Sequence, residues 1–108
     1  MIYRPPVLPG PIARLRVLDP TGADRGLLLD GSIVTIGRGP DNAVVIGDRR
    51  ASRHHARLHA RQGTLVLVDL SSTNGTFVNG VPIQEVALGI GDEIRIGDTR
   101  LLVEPLPG

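Results

Sequence analysis

Three short runs carry the residues able to do chemistry: Gly37-Arg38, Ser52-Arg53-His54-His55, and Ser71-Ser72-Thr73-Asn74-Gly75-Thr76. Each sits at the end of an apolar, strand-like stretch. Together they offer a guanidinium, serine and threonine hydroxyls, and a side-chain amide. Those are the groups needed to hold a phosphate and an adjoining peptide backbone. An Arg fork suits a phosphate because its charge-assisted bonds are about twice as strong as neutral ones. Taken singly, each residue has an ordinary alternative. Arg38 can be a solvated surface residue, Ser52 a cap, His55 a satisfied core histidine and Asn74-Gly75 a plain turn with positive φ.

Two other chemistries use the same residue types. Ser52, His55 and Asp69 are the types of a hydrolase triad. However, the chain lacks the Gly-x-Ser-x-Gly elbow and is small for enclosing a substrate, so an enzyme is not expected. His54, His55 and His59 have no carboxylate or Cys at a familiar ligand spacing, so no metal and no cofactor are expected.

Composition narrows the rest. The 108 residues fit one domain. The core must come from 14 Leu, 11 Val and 9 Ile, because Tyr3 and Phe77 are the only aromatics. That poverty of rings speaks against single-stranded nucleic acid, which stacks on aromatics. A net charge of +1 gives no strong field to attract nucleic acid or membrane. All twelve basic residues are Arg, which removes Lys chemistry. With no Cys there is no disulfide and no thiolate metal site. No apolar run is long enough to span a membrane as a helix, and no signal peptide is visible. A cytoplasmic domain is expected, and the Lys-free composition suggests a bacterial source.

The elements that must position the three runs read almost entirely as strands and turns. Residues 1–11 hold four prolines and read as an extended leader; residues 105–108 read as a similar tail. Between them, Ala13, Leu15 and Val17 alternate with Arg14 and Arg16. Gly26 to Leu29 and Ser32 to Ile36 flank Asp30-Gly31, a favoured hairpin turn. Ala43 to Ile46 is a short apolar strand. Ala56, Leu58 and Ala60 alternate with polar residues. Leu65 to Leu70 is apolar except for Asp69 and should be central. Thr76 to Val78 and Val81 to Ile83 flank Asn79-Gly80. Glu93 to Ile96 and Thr99 to Val103 flank Gly97-Asp98. About ten short strands with Gly, Asp and Asn turns predict an all-β sandwich, whose turns cluster at two ends.

The motifs as a set resemble the forkhead-associated (FHA) domain family. They are Gly37-Arg38, Ser52-x-x-His55-Ala56, Asp69-Leu70-x-Ser72-Thr73-Asn74-Gly75-Thr76-Phe77-Val78-Asn79-Gly80, and Leu88-x-x-Gly91-Asp92-x-Ile94-x-Ile96-Gly97. The resemblance covers residues 12–104. It implies an eleven-stranded β-sandwich that binds phosphothreonine peptides through loops at one end. By position, it implies that Arg38 and Ser52 hold the phosphate, with Arg53 and Thr73 adding contacts. Asn74 would bond the peptide backbone, while His55 would brace the loops. Gly37 and Gly75 would permit the backbone turns. Arg50, two residues before the motif Ser, would favour an acidic residue three positions after the phosphothreonine. The implied partners are a phosphothreonine-bearing protein and a Ser/Thr kinase pathway. The alternative is a phospho-independent scaffold of the same fold that binds through a sheet face or edge.

Overall fold

The computed structural model describes residues 11–107, so the leader expected over residues 1–11 lies almost wholly outside the described residues, as does Gly108. Among the described residues, eleven strands form two sheets. In chain order they are β1 (Ala13–Leu18), β2 (Asp24–Leu29), β3 (Val34–Gly37), β4 (Val44–Val45), β5 (Ala56–Arg61), β6 (Thr64–Asp69), β7 (Thr76–Val78), β8 (Val81–Ile83), β9 (Glu85–Leu88), β10 (Glu93–Ile96) and β11 (Thr99–Glu104). One sheet has six strands in the order β2-β1-β11-β10-β7-β8; the other has five, β4-β3-β5-β6-β9. The registered pairs are antiparallel apart from β3 with β4.

Alternation in the sequence becomes alternation of burial. Ala13, Leu15 and Val17 of β1 point inward, and Arg14 and Arg16 point out. Period-2 side chains on facing strands then meet in one core. Leu15, Ile94, Ile96 and Leu101 come from the six-stranded sheet, and Ile36, Leu58 and Leu67 from the five-stranded one; all are fully enclosed. The apolar run from Leu65 lies in β6, which ends at Asp69 and is paired on both sides by β5 and β9, as its continuous hydrophobicity predicts.

The Asp30-Gly31 hairpin does not form. β2 pairs with β1, whereas β3 pairs with β4 and β5, so the chain changes sheets there. Asp30 Oδ1 accepts hydrogen bonds from the Ser32 N–H (2.9 Å) and hydroxyl (2.6 Å), and Gly31 has φ +95°. Asp-Gly specifies the sharp turn, but the turn alone does not choose the next strand's partner. β9 was not expected. Its sequence, Glu-Val-Ala-Leu, is only four residues long, and it sits at a sheet edge.

Asn79-Gly80 does form a hairpin, with φ +50° and +82° at the two central residues. The Asn79 side chain then straps this turn to β10. It donates to Asp92 Oδ1 (3.0 Å) and accepts from the Glu93 N–H (3.0 Å). Asp92 Oδ2 accepts from the Gly89 N–H (2.7 Å), and these bonds hold its carboxyl below the ordinary value, that from Gly89 first. The Asn79-Gly80 and Gly91-Asp92 motifs thus pin the strands together.

Gly37, at the end of β3, packs directly under the backbone of the β4–β5 loop. A methyl group there would run into the Arg53 carbonyl oxygen. Gly37→Ala is expected to lower unfolding free energy by about 1–3 kcal/mol, the usual cost of overpacking. Gly47→Ala adds a methyl to a position with no atom within 4 Å and should be close to neutral. Urea midpoints of the two variants at constant m-value check this; equal midpoints would show that the close approach at Gly37 is not rigid.

Candidate functional site at the loop end

Four connections meet at one end of the sandwich: β3–β4, β4–β5, β6–β7 and the β10–β11 turn. All the residues expected in a site lie on the first three or at their borders. Backbone bonds stitch β3–β4 to β4–β5. The Arg38 N–H donates to the Ser52 carbonyl (2.9 Å), the Gly39 N–H to the Arg53 carbonyl (3.0 Å), and the His55 N–H to the Ile36 carbonyl (2.9 Å). Buried Asn42 reinforces the join, its Nδ2 donating to the carbonyls of Gly39 (2.8 Å) and Arg53 (2.7 Å).

His55 connects β4–β5 to β6–β7. Its ring is completely buried. The Ser52 N–H donates to Nδ1 (3.0 Å), and Nε2 lies 2.9 Å from the Gly75 carbonyl. An amide N–H can only donate and a carbonyl can only accept. The ring is therefore neutral with its proton on Nε2. The Leu70 N–H adds a bond to the His55 carbonyl (2.9 Å). The triad alternative does not form: both ring nitrogens of His55 are committed to backbone partners, and the Asp69 carboxylate is hydrogen-bonded elsewhere. Among the described residues, no three His, Asp or Glu side chains converge as a metal site.

The β6–β7 loop is built around Asp69. Its Oδ1 accepts from the hydroxyls of Ser72 (2.5 Å) and Thr76 (2.7 Å), and its Oδ2 from the Ser72 N–H (3.2 Å). The Ser72 hydroxyl also accepts from the Gly75 N–H (3.0 Å), and Gly75 turns the chain with φ +89°. Two hydroxyls of the Ser71–Thr76 run are thus spent inside the loop.

What remains points outward. The Ser52 hydroxyl accepts from the Thr73 N–H (3.2 Å), so these residues are neighbours across two loops. Asn74 is exposed, and its Nδ2 donates to the Arg50 carbonyl (2.9 Å). Arg38 is exposed, and its Nε donates to the Ala51 carbonyl (3.1 Å). That bond fixes the guanidinium plane beside Ser52, while the two terminal nitrogens make no hydrogen bond to the described residues. Arg53 and Thr73 are exposed. His54 turns away, its Nε2 2.7 Å from Asp41 Oδ2. Arg38, Ser52, Arg53, Thr73 and Asn74 therefore share one end, with Gly37, His55 and Gly75 beneath them.

Arg50 has a different environment from the one expected of a free cation. Its guanidinium bonds Asp48 (Nε to Oδ1, 3.3 Å) and Asp98. Asp48 also accepts from the N–H groups of Asp98 (2.8 Å) and Arg50 (2.9 Å), which hold its carboxyl below the ordinary value. This knot ties β4–β5 to the β10–β11 turn. Sequence reasoning missed Asp48 and Asn42, which no motif marks, and read Asp98 only as a turn residue. Asp69 carried a readable signal, the Asp-x-x-Ser spacing of a side-chain-capped turn.

Burial works against the charge on Asp69, but the bonds from the Ser72 and Thr76 hydroxyls and the Ser72 N–H outweigh it and hold its carboxyl below the ordinary value of 3.8. A carboxylate depressed in the fold stabilises it at neutral pH, and that contribution is lost as pH falls below 3.8 toward the folded value. Asp69→Asn should cost about 1 kcal/mol at pH 7, the charge-assisted part of its bonds. The gap to wild type should close on acidification. Chemical denaturation at pH 7 and pH 3 checks it; a constant gap would remove Asp69 from the acid response.

Comparison with known proteins agrees with this architecture. The family model described as FHA domain matches residues 34–97. The chain is 38% identical over 95 residues to the glycogen accumulation regulator GarA of Mycolicibacterium smegmatis, covering 88% of this chain and 60% of that protein. It therefore spans about 60% of the length of such relatives. Among solved structures, it is similar to one from a structural and functional study of phosphothreonine-dependent FHA domain interactions, with TM-score 0.78 and 36% identity over 90% of this chain and 99% of that one. It is also similar to Mycobacterium tuberculosis EmbR in complex with a low affinity phosphopeptide, with TM-score 0.76 and 34% identity over 89% of this chain and 25% of that one. On this family match and the similarity of sequence and overall fold, the chain belongs to the FHA domain family.

Proposed function

We propose that this chain is a non-catalytic module that binds phosphothreonine peptides and acts as an adaptor in Ser/Thr kinase signalling in the bacterial cytoplasm. The module takes in residues 12–104. One observation carries the reading: Arg38, Ser52, Thr73 and Asn74 are held side by side by bonds between three loops, with their outer faces open. That is a preorganised anion site, and preorganisation lowers the ordering cost of binding.

Each residue has a part. The free end of Arg38 forms a two-pronged contact with the phosphate. The Ser52 hydroxyl donates to a second phosphate oxygen, while accepting from the Thr73 N–H keeps it aimed. Arg53 adds charge beside it. Thr73 contributes its hydroxyl, and Asn74 bonds the peptide main chain. Gly37 and Gly75 let the loops approach, and His55 holds them. The relatives bearing phosphothreonine-dependent interactions or a bound phosphopeptide support the ligand class.

The test uses fluorescein-labelled degenerate peptides centred on phosphothreonine, with unphosphorylated peptides as control, read by fluorescence anisotropy. Only the phosphorylated pool should bind. Arg38→Ala should weaken binding about 10- to 150-fold, the worth of a charged hydrogen bond, and leave the thermal melt nearly unchanged. His55→Ala should weaken binding and lower stability together. Equal binding of the unphosphorylated pool, or a folded Arg38→Ala that binds as wild type, would overturn the reading.

A further inference from the structure

Beside Asn74 lies an open cleft of about 330 Å³, lined by Arg50, Asn74, Phe77, Arg95, Gly97 and Asp98. Two of its charges are already committed, because Arg50 and Asp98 pair with each other. Arg95 differs. It is exposed on the outer face of β10 and makes no ion pair with the described residues. Its guanidinium lies over the Phe77 ring, 5.3 Å from the centroid. Phe77 is one of only two aromatic residues in the chain, and it is placed outside the core.

The register adds to the cationic character. Arg95 stands directly opposite Arg100 of β11. Like charges facing across a ladder are unfavourable. Arg100 is compensated by Glu93, with Nε to Oε1 at 2.9 Å. Among the described residues, Arg95 has the ring beneath it and no carboxylate partner. A guanidinium fixed on an aromatic face loses less freedom when it takes an anion, and the ring shields one side of the pair from water.

We propose that Arg95, seated on Phe77, is a second anion contact of this site and selects phosphothreonine peptides that also carry an acidic side chain. The proposal rests on the phosphothreonine reading above. It also transfers acidic selectivity from Arg50, whose charge Asp48 and Asp98 already answer, to a residue on the sheet face. The acidic side chain enters the cleft past Asn74 and pairs with Arg95, while the phosphate stays with Arg38 and Ser52.

Three degenerate phosphothreonine pools test this: one with neutral flanks, one with Glu fixed on the N-terminal side, and one with Glu fixed on the C-terminal side. Wild type should bind one Glu pool about fivefold more tightly than the neutral pool, the upper range of an exposed ion pair. Added salt should shrink that preference. Arg95→Gln should reduce it below about twofold, with neutral-pool affinity and melting temperature unchanged. A phosphoserine in place of the fixed Glu shows whether a second phosphate serves as well as a carboxylate; a twofold or smaller gain would confine the contact to carboxylates, and a larger one would widen it to anions generally. A preference that survives Arg95→Gln, or is absent from a wild type that binds the neutral pool, overturns the proposal and leaves the phosphothreonine reading standing. If wild type binds none of the phosphorylated pools, both fail.

Discussion

The loop end depends on one buried imidazole. His55 accepts from the Ser52 N–H and donates to the Gly75 carbonyl, and these partners belong to different loops. Both groups would otherwise lack a partner at the margin of the core, and an unsatisfied buried polar group costs about 1–3 kcal/mol. Only a neutral imidazole with its proton on Nε2 satisfies both. A side chain of similar size without opposed donor and acceptor cannot do so. The open groups inherit their positions from this bond pair: Ser52 is aimed at Thr73, Asn74 reaches Arg50, and Arg38 lies along the Ala51 carbonyl.

The sandwich makes that bridge possible. β3 and β6 end, and β5 begins, at the same end of their sheet, and the register Ala56↔Asp69 brings the start of the β6–β7 loop beside the end of the β4–β5 loop. The opposite sheet contributes the β10–β11 turn, joined through Asp48, Arg50 and Asp98. At the other end of the sheets, Asn79 and Asp92 lock the hairpin to β10 with no part in the open cluster. Motif residues therefore divide into two groups by position: those that face out at one end, and those that hold strands in place.

Much of this was legible in the residues. The period-2 pattern of β1 and the unbroken apolar run of β6 located the core strands, and Asn79-Gly80 located a hairpin, because each follows from local geometry. The partner of β3 was not legible. Asp30-Gly31 encodes a turn, and both a hairpin and a change of sheet begin with that turn. β9 was hidden because an edge strand of four residues need not alternate. In the site, residue types and order singled out Arg38, Ser52, Thr73 and Asn74, yet they could not reveal that Arg50 is engaged by two carboxylates. Those partners come from 2 and 48 residues away, and the farther one is joined only by tertiary folding. Arg95 was invisible for the same reason, since on its own it reads as the polar half of a strand.

The proposed phosphothreonine site is the open face at the β3–β4, β4–β5 and β6–β7 loops. The most direct measurement is an amide ¹H–¹⁵N correlation titration with the phosphothreonine pool. The largest shifts are expected at Arg38, Ser52, Arg53, Thr73 and Asn74, with the Gly63 and Gly89–Gly91 turns unmoved. Shifts centred on those far turns, or spread along a sheet edge with the loop residues unmoved, would contradict it.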